Sequence, residues 1–367
     1  MEVSTQRKMG PPSGLPRRLA KRAYHKVLDV PGLASAFRHV QGDYATVFMF
    51  HRFDGGDSQG SGLDPTSLTR GLEYLRKAGF ELVSLEDLFR RLAGEGSRLR
   101  GAVAFTIDDG YLDQAEIAAP IFRRFDCPVT TFVTTGFVDG ALWMWWDKIE
   151  YVFLHTQRTS LAVELGGQAL RYELTGPPHS LATMSADFAE RCKAVNDEER
   201  ECGIARLAQA AEVELPERAP CRYSAMTWDD VRACEQLGMQ FGPHTVTHPI
   251  LSRTTSERSE HELSESWRRL QAEARSPVPI FCYPNGRRGA SVDDVDGDFS
   301  EREIASLRSL GLRGAVCSEA GFAVPRLFRS GPDEPFAVPR LAYPEDRPSL
   351  AEYAGGIERL KQALRSA

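Results

Sequence analysis

Two short stretches hold the residues best suited to chemistry. "FTIDDGYLD" (105–113) runs an apolar segment straight into adjacent carboxylates, Asp108 and Asp109, and then a glycine. Neighbouring carboxylates repel unless a cation or a proton separates their charges. "GPHTVTHPIL" (242–251) sets His244 and His248 four residues apart. On a helix that spacing shares one face, as in some zinc proteases. Here Pro249 follows His248 and biases it away from helix, Pro243 precedes His244, and Thr245, Val246 and Thr247 are all β-branched. The sequence therefore predicts a strand entering a loop, which either turns both imidazoles onto one ion or leaves two histidines that merely pack or cap. Two histidines and a carboxylate form a familiar ligand set with an open position for water. A metal on one aspartate leaves the other free to take a proton from that water, whose pKa falls from about 16 towards about 7. The plainer alternative makes Asp109-Gly110 a turn and Asp108 a helix cap.

The elements that must position these residues alternate along the chain. Apolar or β-branched runs predict strands at 44–51, 80–84, 102–107, 128–134, 239–242, 279–284, 312–317 and 336–343. Between them lie helical patterns. Leu68, Leu72 and Leu75 share a face before a stop at Gly79, and Ser84/Asp87, Thr227/Asp230 and Ser300/Glu303 read as capping boxes. This rhythm predicts an α/β chain, a (β/α) barrel of seven or eight strands, whose chemistry gathers at the C-terminal strand ends. His51, Asp108, Asp109, His244, His248 and Tyr283 fall at such ends, and Arg340 lies within the last segment.

The rhythm breaks at about 141–222, which reads as an insertion into the 41–345 barrel with a hairpin around "ELGGQALRYEL" and then polar helices. The insertion follows a strand end directly, which predicts a lid over the site with Trp146 and Asp147 against the substrate. Residues 346–367 read as a terminal helix. Residues 1–40 form a basic arm, with eight Arg or Lys against Glu2 and Asp29. Such an arm faces water or touches an anionic membrane surface.

Composition bounds the function. The 367 residues carry a net charge of −6, with 42% hydrophobic and 26% charged residues, which is globular and argues against nucleic-acid binding. Its best apolar run, Cys127 to Val138, is too short to span a bilayer. Seven scattered cysteines without a CxxC pair, and no visible secretory signal, predict a cytoplasmic protein. Histidines 25, 39, 155, 179 and 261 have no ligand-like company.

"FTIDDG", "HTVTH" and "FCYPNG" (281–286), in that order, resemble the polysaccharide deacetylases, the NodB-homology or family-4 carbohydrate esterases. The resemblance implies a distorted (β/α) barrel and a divalent metal, zinc first, with Co²⁺, Ni²⁺ or Mn²⁺ also admitted by such a ligand set. It implies Asp108 as base and Asp109, His244 and His248 as ligands. Tyr283, through its backbone N–H, and Asn285 would serve the oxyanion or substrate. The third motif has Cys282 where an arginine often orients the base, so Arg340 and Arg287 are the substitutes. No histidine follows His261, which leaves the role of acid to His51, as in the circularly permuted exopolysaccharide-type members. An imidazole titrates near neutral pH and suits that role. The expected substrate is an acetylated amino sugar, nucleotide-linked, lipid-linked or in a polysaccharide precursor, met in the cytoplasm or at the inner membrane face. A non-sugar N-acyl or formyl amide, or an inactive glycan-binding protein, are the alternatives. The sequence leaves the oligomeric state open.

Overall fold

The computed structural model describes residues 42–54, 62–175, 178–289, 297–325 and 334–359. The basic arm at 1–40, with His25 and His39, and the end of the terminal segment lie outside the described residues.

In chain order the elements are β1 (Ala45–Phe50), α1 (Pro65–Lys77), α2 (Leu85–Leu92), β2 (Ala102–Asp109), α3 (Ala119–Arg124), β3 (Val129–Val133), α4 (Thr135–Val138) and α5 (Trp145–His155). There follow β4 (Ser160–Leu165), β5 (Gln168–Glu173), α6 (Pro178–Cys192), α7 (Asp197–Ala211), α8 (Trp228–Gln236), β6 (Met239–Pro243), α9 (Ser256–Glu273), β7 (Ile280–Cys282), α10 (Glu301–Ser309), β8 (Gly314–Ala320), β9 (Val338–Ala342) and α11 (Arg347–Ala354). Among the described residues the main sheet has seven strands, ordered β6-β3-β2-β1-β9-β8-β7. All its named pairs are parallel. The Val278 N–H donates to the Phe241 carbonyl at 2.7 Å and draws β7 towards β6, so the sheet is nearly a closed barrel.

Strand period fixes the two faces. Ala45 and Val47 of β1, Ala102 and Ala104 of β2, Ile280 and Cys282 of β7, and Val338 of β9 share one apolar cluster. Alternate residues Phe48, Phe50, Phe105 and Ile107 pack outward with Leu68, Leu72 and Leu75 of α1. Each such buried side chain contributes roughly 1.5–3 kcal/mol. Continuing the inner register along β2 gives Thr106 and Asp108, and along β9 gives Arg340. The barrel's own alternation therefore aims a carboxylate and a guanidinium at each other. At the strand starts α2 closes the cluster. A Cβ at Gly314 would lie 2.4 Å from the Phe89 ring, which requires glycine there.

The segment expected as a strand at 80–84 is not one. Leu82 makes a single bridge to Val103, because α1 ends just before it and Ser84 already caps α2 by accepting from the Asp87 N–H. The helix after β2 opens as a π-turn at Gln114–Ala118. The insertion holds the expected β4–β5 hairpin, and its strand β4 buries alternate residues only. With α5, α6 and α7 it closes on a separate apolar cluster that includes Trp145, Ile149, Phe153, Phe188 and Leu207.

Candidate active site

Four site residues take left-handed backbone conformations that non-glycine residues avoid: Asp109 (φ 86°), Thr245 (66°), His248 (56°) and Asn285 (58°). Strain of this kind costs on the order of 1–3 kcal/mol per residue and collects where a site dictates it. Asp109 is the last residue of β2 and Gly110 follows it at φ 96°, so the turn of the plainer sequence reading is not formed. Asp108 caps no helix. Its two oxygens accept from Arg340 Nη1 and Nη2 at 2.7 Å each, with both side chains buried. Arg340, rather than Arg287, is the arginine paired with Asp108. It is tied further to Thr106 Oγ1 (3.0 Å), the Cys317 carbonyl (3.1 Å) and Cys282 Sγ (3.1 Å). Burial opposes charge on Asp108, but the adjacent guanidinium holds it well below its ordinary value.

Asp109, His244 and His248 are buried with their ligand atoms within 4.8 Å of one another. Both Nε2 atoms face Asp109 Oδ1, at 3.6 Å from His244 and 3.7 Å from His248. His244 Nδ1 lies 2.7 Å from the Cys282 carbonyl, which fixes the tautomer and leaves Nε2 as a lone-pair donor. Burial, with His244 beside it, pushes His248 down to about 3, the neutral form a metal ligand needs. Asp109 Oδ1 is buried without a hydrogen-bond partner. An unsatisfied carboxylate oxygen facing two imidazole nitrogens fits a divalent cation. Asp108, His244 and Cys282 also lie close enough to hold one. Arg340 already occupies Asp108 and Cys282, and its charge disfavours a cation there.

This group lies on a cleft of about 670 Å³, within the range of small-molecule sites. Its lining joins His51, Asp108, Asp109, His244, His248 and Asn285 to Trp146, Asp147 and Glu150 of α5 and to Lys193 of the insertion. His51 is half exposed, with Nε2 3.8 Å from Asp108 Oδ2. The Trp146 ring meets His248 edge-on at 4.6 Å between centroids. Asn285 Nδ2 is buried without a partner. Tyr283 requires a correction. Its N–H donates to the Val316 carbonyl at 3.3 Å between neighbouring strands, so it is already engaged, and its ring stacks on Phe299.

Two residues at the site, Tyr111 on the cleft and Gln114 buried behind it, carried no sequence signal. Tyr111 donates to Asp147 Oδ2 at 2.7 Å and accepts from Trp146 Nε1 at 2.8 Å, with the Arg52 guanidinium 3.9 Å above its ring. Gln114 Nε2 bridges the His51 and Asp108 carbonyls at 2.7 and 2.5 Å, joining the ends of β1 and β2. Proximity in sequence to Asp108 and Asp109 was the one clue to both. Burial pushes Asp147 up to about 8, against the pull of the Tyr111 hydrogen bond. A raised carboxyl favours folding while neutral, so its cost grows as pH rises from about 4 through about 8. Asp147→Asn should therefore leave stability near wild type at about pH 4 and raise it by up to a few kcal/mol at about pH 9. A gain of equal size at both pH values in thermal melts would refute the assignment.

Residues 204–304 match the family model for polysaccharide deacetylase. Over that stretch the chain is similar to the polysaccharide deacetylases. Its fold is similar to that of the Streptococcus pyogenes deacetylase PplD, solved in complex with acetate, at 15% identity and a TM-score of 0.51 over 84% of this chain and 97% of that one. It is also similar to the putative polysaccharide deacetylase BA0330 from Bacillus anthracis, at 15% identity and a TM-score of 0.50 over 85% and 69%. At such identities the likeness speaks for the barrel, and the site must be argued from its own residues. No curated protein matches this chain in sequence.

Proposed function

We propose that this protein is a metal-dependent hydrolase that removes an acetyl group, N-acetyl foremost, from a substrate containing an amino sugar. The observation that carries the reading is the convergence of Asp109, His244 and His248 beside an ion-paired Asp108 on the cleft. Asp109, His244 and His248 would hold a divalent cation, zinc first, which would supply Lewis-acid polarisation of the acyl oxygen. Asp108, kept charged and oriented by Arg340, takes the proton from the attacking water. Asn285 offers its free Nδ2 to the developing oxyanion, a contribution that is usually large. His51, across Asp108 on the exposed side, gives a proton to the departing amine. Trp146 presents an aromatic wall suited to a sugar ring. The eight basic residues of the arm support a lipid-linked or membrane-proximal substrate, and the scattered cysteines support a cytoplasmic setting.

Acetate release tests this across N- and O-acetylated amino sugars, nucleotide sugars, glycolipid extracts and simple N-acyl amides. His51→Ala should slow N-acetyl hydrolysis by about 10²–10⁴-fold with its metal content unchanged. Release from simple amides alone would favour the non-sugar amidohydrolase. A wild-type protein that is fully metallated and silent on every substrate would favour a glycan-binding role.

A further inference from the structure

The loop carrying the two histidines is held from both sides. On one side, its carbonyls accept from the next segment: Thr134 Oγ1 to the His244 carbonyl (3.2 Å), the Thr135 N–H to that of Thr245 (3.0 Å), and the Gly136 N–H to that of Val246 (2.9 Å). A Cβ at Gly136 would stand 2.6 Å from that last oxygen, so only glycine permits the approach. On the other side is one carboxylate. Glu262, on α9 and fully buried, accepts from the N–H groups of Val246 (2.7 Å) and Thr247 (2.8 Å) through Oε2, and from Thr247 Oγ1 (2.7 Å) through Oε1. Arg258 Nη2 pairs with the same Oε1 at 2.7 Å. Successive N–H groups beside a left-handed residue form a concavity that attracts an anion, and here the protein supplies it. Burying a carboxylate is costly unless it is saturated with donors, so this one constrains the loop strongly.

We propose that Glu262 is a positioning residue that fixes the separation and aim of His244 and His248 for a divalent cation, touching neither the cation nor the substrate. The inference rests on the metal-dependent reading. Glutamine can still offer one oxygen to both amides, whereas alanine offers none and aspartate falls short.

The test is calorimetric titration of Zn²⁺ into the metal-free full chain, with thermal melts of each metal-free protein. Glu262→Ala and Glu262→Asp should weaken zinc binding by about 10–100-fold, and Glu262→Gln should stay close to wild type. Where the alanine variant fails to fold, the Asp and Gln pair decides. Zinc affinity equal to wild type in the Ala or Asp variant, with only the metal-free melting temperature lowered, would overturn the proposal and leave a purely structural role. Glutamine falling as far as aspartate would also overturn it, since charge rather than reach would then matter. Absence of zinc uptake by wild type would overturn the metal reading itself, and this inference with it.

Discussion

Asp108→Asn is expected to lower turnover by about 10²–10⁴-fold while zinc content stays at the wild-type level. The geometry separates the two effects. Asp108 faces Arg340, whereas Asp109 faces the two imidazoles. An amide keeps the shape of the carboxylate and cannot take a proton from water. It also turns an NH₂ group towards one guanidinium nitrogen, so a moderate loss of stability accompanies the loss of activity. Turnover and metal content measured on the same preparation decide the matter. Loss of zinc in step with activity would move Asp108 into the ligand set and leave the site without its base.

The second large effect is expected at Arg340, which is fully buried. Arg340→Met should destabilise the fold by about 3–5 kcal/mol, since breaking a buried ion pair strands the other charge. The pH dependence should also reverse. In the wild type the folded-state pKa of Asp108 is depressed. Its contribution to stability is therefore present above the ordinary carboxylate value and is lost as pH falls through the depressed one. Without Arg340, burial raises that pKa instead, and stability should decline as pH climbs above the ordinary value. The acid limb of the pH–rate profile should move towards neutrality for the same reason, because the base becomes protonated there. The double variant Asp108→Leu/Arg340→Met should regain most of the stability and none of the activity, as buried ion pairs replaced by apolar groups often do. An acid limb unchanged in Arg340→Met would show that the pair does not govern the base.

Much of this was legible in the sequence. Alternating apolar runs and capping pairs predicted a parallel α/β barrel, because strand and helix periodicity are local properties that the core reads directly. The adjacent aspartates and the proline-flanked histidines predicted a ligand loop, because Pro249 and three β-branched residues disfavour a helix there. The capping pairs Thr227/Asp230 and Ser300/Glu303 are both formed. The short run at 80–84 misled, since five suitable residues do not make a strand when the flanking helices claim both ends.

Other features belong to the tertiary structure alone. Arg340 and Asp108 lie 232 residues apart, and only the closure of β9 onto β1 and β1 onto β2 brings them within 2.7 Å. The sequence named Arg340 and Arg287 equally, because which arginine faces the barrel depends on register within a strand. Tyr283 looked like an oxyanion donor until the sheet engaged its N–H, a fact set by the pairing of β7 with β8. Glu262 sits in "SERSEHELSESWRRL", a run that reads as a solvated helix face. Its burial follows from the position of the histidine loop over α9, which no local pattern encodes. The sequence by itself determined the kinds of groups in the site and the elements that carry them. The barrel decided which of those groups meet, because strand order and register are properties of contacts between distant segments.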